Sequence, residues 1–190
     1  MCPSDNTLPT LFPVIEVDLP QFTDLALPAS LINPVGPVSP PVVDAADGTL
    51  LFRNGQTDTV TFIYQLPHGY REGSDIAFHV HWSKTTSAVG TVNWQYKYSW
   101  GEIGKVTPAF SVLASGVVQV ADLDTAEVQA ITRWTTLVGS GHTVSSIIKV
   151  WLQRTSAAGG DTYAANARLI SADLHYQQNT FGSIVEWAKI

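Results

Sequence analysis

From residue 48 onward, apolar and polar positions alternate in short segments bounded by glycine, proline and small polar residues. In Asp75–Trp82 the side chains of Ile76, Phe78, Val80 and Trp82 fall on one face and those of Asp75, Ala77, His79 and His81 on the other. Thr91–Trp100 repeats the pattern with Val92, Trp94, Tyr96, Tyr98 and Trp100 on one side, between Gly90 and Gly101. Thr59–Leu66 is rich in β-branched and aromatic residues and stops at Pro67-His-Gly. The same reading predicts strands over Phe110–Val120, Val128–Val138, Ser146–Arg154, Ala167–Tyr176 and Ser183–Trp187. A short helical turn over 126–128, capped by Asp124, is the one helix candidate, and its continuation is β-rich. No long helical crossover is present, so a parallel α/β sheet is excluded. The fold class that follows is all-β, an antiparallel β-sandwich, with a jelly roll preferred over an up-and-down barrel and an immunoglobulin-like sandwich as the alternative.

The segment before residue 45 differs. It holds nine of the eleven prolines, which rule out a long helix or a central strand there. It also holds Leu11, Phe12, Ile15, Phe22, Leu25, Leu27 and Leu31, and is too apolar for a solvated linker. The expected organisation is an extended, proline-rich N-terminal docking arm over 1–45 and a β-sandwich domain over 46–190. The arm would lie on its own sandwich or on a neighbour.

Charge sharpens this picture. The net charge is −6, and the arm contributes five carboxylates and no Lys or Arg. No basic patch stands out, which argues against nucleic-acid binding through phosphate neutralisation. Charged residues make up only 14% of the chain against about 25% in an average soluble protein, as expected of a surface partly covered by partners. Cys2 is the single cysteine, so an intramolecular disulfide and a cysteine-based metal site are both excluded. Neither a membrane span nor a signal peptide is expected, and the chain is read as made in a cytoplasm and soluble.

Candidate chemistry is sparse. His79 and His81, two apart on a strand, project to one face and could place two imidazoles on a metal, with His175 as a third ligand in a cupin-like metalloprotein. No carboxylate occurs between Trp82 and Val89, so the preferred reading is structural, with no metal or other cofactor assigned. No G-x-S-x-G elbow or phosphate-binding glycine loop occurs. Gly139–His142 reads as a loop, and Asp122, Asp124 and Glu127 as a solvated connection. The stripe Trp94, Tyr96, Tyr98, Trp100 could stack on sugars, though strict period two favours the core. No catalytic residue is assigned.

The stretch Gly73–Trp82, Gly90–Trp94 with Tyr96, then Ser145–Arg154, Asp161–Tyr163, Ala167–Leu169 and Asp173–Gln177 up to Gly182-Ser183 resembles a group of tailed-bacteriophage virion structural proteins. The likeness covers roughly residues 48–187 and excludes the arm. It implies a non-enzymatic virion subunit, such as a head decoration or head-fibre protein. Its expected partners are copies of itself, most simply a homotrimer, and other virion proteins such as capsid or neck subunits, with no nucleic acid or membrane. A tail-associated receptor- or carbohydrate-binding module is the alternative.

Overall fold

The computed structural model describes residues 21–32, 39–111, 117–120, 126–134, 136–156 and 160–179. Ten strands are found there: β1 (Gln21–Pro28), β2 (Val42–Val43), β3 (Leu50–Phe52), β4 (Thr57–Gln65), β5 (Ala77–Lys84), β6 (Thr91–Gly101), β7 (Val117–Val120), β8 (Gln129–Arg133), β9 (Ile147–Thr155) and β10 (Ala167–Gln178). A single 3-10 turn, Ala29–Leu31, follows β1, and no α-helix occurs among the described residues. Ala126 and Glu127 form a turn, not a helix.

All strand pairs are antiparallel. One sheet runs β2-β3-β10-β5-β8, with β1 also on β10, and the other runs β4-β9-β6-β7. The facing orders β3-β10-β5-β8 and β4-β9-β6-β7 are those of an eight-stranded jelly roll built from two Greek keys. The sandwich is therefore all-β and antiparallel, as the alternation predicts.

The predicted inner faces meet between the sheets. Ile76 just before β5, Phe78, Val80 and Trp82 of β5 and Val92, Trp94, Tyr96 and Trp100 of β6 are all buried, and Tyr98 packs half-buried against them. Phe78 lies 5.4 Å from Tyr96, and Trp94 meets Phe52 edge-on at 4.9 Å. The aromatic stripe is thus core, and a sugar platform on it is ruled out because its rings face the opposite sheet. Two expected strands are shorter than predicted. Phe110 lies outside β7, its ring 5.5 Å from the Lys97 ammonium, and β8 ends at Arg133 before a single bridge joins Leu137 to Ile76. The expected strand at 183–187 lies outside the described residues.

Part of the arm joins the sandwich. β1 pairs with β10 from Gln21↔Gln178 to Pro28↔Ser171, and β2 pairs with β3. Both are edge strands, where a sheet tolerates proline. Residues 1–20 lie outside the described residues.

One buried ion pair fastens the end of the sandwich. Arg154 on β9 is fully buried, and its Nε and Nη2 donate to the two carboxylate oxygens of Asp161 at 2.9 Å each. Its remaining N–H groups donate to the carbonyls of Phe52, Ala165 and Tyr163. All five guanidinium donors are satisfied. Asp161 also accepts the Asn93 N–H. Gly90 sits where a Cβ would fall 2.6 Å from Tyr163 Cα, so only glycine lets β6 start this close to the loop.

Two outcomes follow. Asp161→Asn should lower unfolding free energy by about 3–5 kcal/mol, the usual cost of leaving a buried charge unpaired, as measured by denaturant titration. Burial pushes the phenols of Tyr64 and Tyr176 up and that of Tyr70 up to about 12. A folded-state pKa above the unfolded value of about 10 gives stability that is present below pH 10 and lost as pH rises through the folded value. The denaturation midpoint should therefore fall between about pH 10 and 12, with late phenolate absorbance. Ordinary titration of all six tyrosines in the folded protein would contradict this.

Candidate functional site

Alternation carries Ala77, His79 and His81 of β5 to the solvent side of the six-stranded sheet. Which residues of β10 meet them depends on a β-bulge. The β5–β10 register shifts between Leu169 and Ser171. Ala167 and Leu169 point inward before the shift, and Ala172 and Leu174 after it. The extra residue reverses the parity of the strand. Ser171, Asp173 and His175 are thereby turned outward, beside β5.

Asp173 then stands directly opposite His79, and His175 opposite Ala77. The Nε2 atoms of His79 and His81 lie 3.3 Å and 3.0 Å from Asp173 Oδ2. One ligand atom from each of these three side chains falls within 4.8 Å of the others. The sequence offers His175 as a third partner. The register instead gives that place to Asp173, and His175 Nδ1 turns to Asp24 Oδ1 of β1 at 2.6 Å. His81 Nδ1 lies 2.6 Å from Gln129 Nε2 of β8.

Around this cluster a cleft of about 280 Å³ is lined by Asp24, Ala77, His79, His81, Ile131, Arg133 and His175. Phe22 stacks on His175 with centroids 4.9 Å apart and remains 57% exposed. The surface thus combines two carboxylates, three imidazoles, a guanidinium and an open aromatic ring. Asp24, Asp173, Arg133 and Phe22 were not assigned from sequence. The only available signal was Asp173 two positions before His175, which reads as a shared face but not as one beside His79.

Other candidate groups fall elsewhere. His142 does not stand in an open loop. It stacks on Trp100 at 3.9 Å, and its Nδ1 bonds Glu102. Ser145 Oγ lies 3.0 Å from His68 Nε2, but Ser145 is buried in a turn and lines no part of the cleft. Glu127 is not merely solvated: it bonds Arg168 and Ser83. Asp122 and Asp124 lie outside the described residues.

No family model and no curated protein sequence matches the chain. Among solved structures it is similar to the CBM36-1 domain of a multidomain xylanase from the hindgut metagenome of Trinervitermes trinervoides. That match has 10% identity and a TM-score of 0.37, over 80% of this chain and 96% of that one. It is also similar to dimeric latent PorU from Porphyromonas gingivalis, with 12% identity and a TM-score of 0.33, over 84% of this chain and 13% of that one.

Burial alone would raise the Glu102 carboxyl, but hydrogen bonds from Thr143 and His142 outweigh it and hold the group below its ordinary value. A depressed folded-state pKa gives stability that is present above the unfolded value and lost as pH falls. Stability should therefore decline as pH drops below about 4.5, and Glu102→Gln should flatten that acid limb in urea titrations run across pH.

Proposed function

We propose that the chain is a non-catalytic recognition module that binds a hydroxyl-rich ligand, a glycan, in the cleft on the outer face of its six-stranded sheet. The observation that carries this reading is the pairing of an exposed aromatic ring, Phe22, with convergent polar groups on Asp24, Arg133 and His175. An aromatic face suits the apolar side of a pyranose ring, and carboxylate and guanidinium groups suit its hydroxyls. The strands that carry these groups, β1, β10 and β8, belong to one hydrogen-bonded sheet in which β5 joins β10 to β8, so the groups are held in place before any ligand arrives. A glycan array followed by calorimetry on the best hit is the test. Phe22→Ala and Arg133→Ala should each weaken binding about tenfold or more, roughly 1.4 kcal/mol. Unchanged affinity in both variants would remove the cleft from the reading.

A second reading, a virion structural subunit, rests on the motif resemblance and on one further observation. Phe22, Leu31, Val42 and Val43, all within the first 45 residues, are exposed apolar side chains. Such residues favour cover by another copy or another virion protein. Light scattering should then return a multiple of 20.5 kDa, most simply a trimer. A monomer mass at every concentration, together with no incorporation into particles, would sink this second reading.

A further inference from the structure

We infer that His79, His81 and Asp173 form a site for one divalent transition cation of the zinc class, with a coordination position open to the cleft. The cation would lie on the solvent side of the sheet, not between the layers. The inference shares the cleft with the glycan reading, but metal binding by itself requires no glycan.

Geometry is the first support. A tetrahedral shell with metal–ligand bonds of about 2.0–2.1 Å has ligand–ligand edges of about 3.3 Å. The two imidazole-to-carboxylate edges already measure 3.3 Å and 3.0 Å. The three side chains come from β5 and β10, adjacent strands paired across 167–175, so little ordering would be left for the metal to impose. Two imidazoles and one carboxylate suit zinc or a neighbouring first-row metal, whereas calcium and magnesium prefer oxygen ligands throughout.

The second support is independent of that spacing. Asp173 is 5% exposed, and its Oδ1 is buried without a hydrogen-bond partner. Among the described residues no Lys or Arg forms an ion pair with it. A purely structural His–Asp–His triad satisfies Oδ2 and leaves Oδ1 bare, a costly arrangement for a buried carboxylate. A cation bridging the three side chains supplies the missing charge, and can engage either oxygen.

Gln129 completes the arrangement. A metal on His81 Nε2 puts the ring proton on Nδ1, which then needs an acceptor. Gln129 is within 2.6 Å of Nδ1, and turning its amide over presents Oε1 there. With three protein ligands the fourth position faces the cleft, where a water or a ligand oxygen can enter. Asp24 and His175 flank that opening as a hydrogen-bonded pair.

The test uses the full chain carrying Cys2→Ser, which removes its only thiol, stripped with chelator and titrated with zinc chloride by calorimetry. One equivalent per chain is expected, with a rise in the thermal midpoint. Cobalt(II) should give the intense visible bands of a tetrahedral site. Calcium chloride should give no comparable heat. His79→Gln and Asp173→Asn should each abolish saturable binding, while Phe22→Ala should retain it. Should Asp173→Asn fail to fold, His79→Gln and His81→Gln decide the matter. Zinc binding that survives both histidine changes, or no stoichiometric binding by the folded parent, overturns the site. A glycan that binds the chelator-treated protein equally well would leave the recognition reading standing without the metal.

Discussion

The fully buried pair of Arg154 and Asp161 is the constraint on which this end of the sandwich depends. Two sheets of a sandwich cohere through apolar contact, which is non-directional and sets no register between layers. Arg154 supplies the direction. From β9 it reaches a carbonyl of β3 in the opposite sheet and three positions on the loop that leads into β10. The loop then returns to the start of β6 through Thr162 and Tyr163, whose N–H groups donate to Thr91 O. A charge this deep is stable only because every donor has an acceptor.

Fixing this loop has consequences along β10. The strand enters the sheet between β3 and β5 with Ala167 and Leu169 inward, then takes one extra residue before Ser171. The bulge turns Asp173 and His175 to the outside while Ala172 and Leu174 stay in the core. Without the shift Asp173 would point between the sheets, where an unpaired carboxylate is untenable. The candidate site is therefore a product of register: one irregularity sets a carboxylate against two imidazoles whose own orientation is simple alternation. β1 closes the far side, bringing Asp24 to His175 and Phe22 over its ring.

β1 also changes the meaning of the proline-rich segment. Its prolines mark where pairing must be one-sided, and Gln21–Pro28 pairs on one side only, with β10. Apolar residues that looked in need of a neighbour are divided between roles. Leu25 and Leu27 pack against the core, whereas Phe22 and Leu31 remain open. The same strand thus packs Leu25 and Leu27 against the core on one face and leaves the Phe22 ring open on the other.

The sequence by itself determined the strands from β4 to β10 and the inner faces of β5 and β6, but not β1, β2 or β3. Period-two alternation in Asp75–Trp82 and Thr91–Trp100 assigns Phe78, Trp82, Trp94 and Trp100 to the core, because a strand's side chains must alternate whatever it pairs with. The placement of His79 and His81 on a common outer face was legible for the same reason. What they meet was not. The partner of His79 is chosen by strand pairing between residues nearly a hundred positions apart and by a one-residue bulge, neither of which leaves a periodic trace. His175 shares a strand face with Asp173 and is the third partner that the sequence offers, yet the pairing sets it against Ala77 and Asp24. Arg154 read only as a polar residue at the end of a strand. Its burial depends on Asp161 and three carbonyls gathered from distant segments, and that convergence exists only once the two sheets have closed on each other.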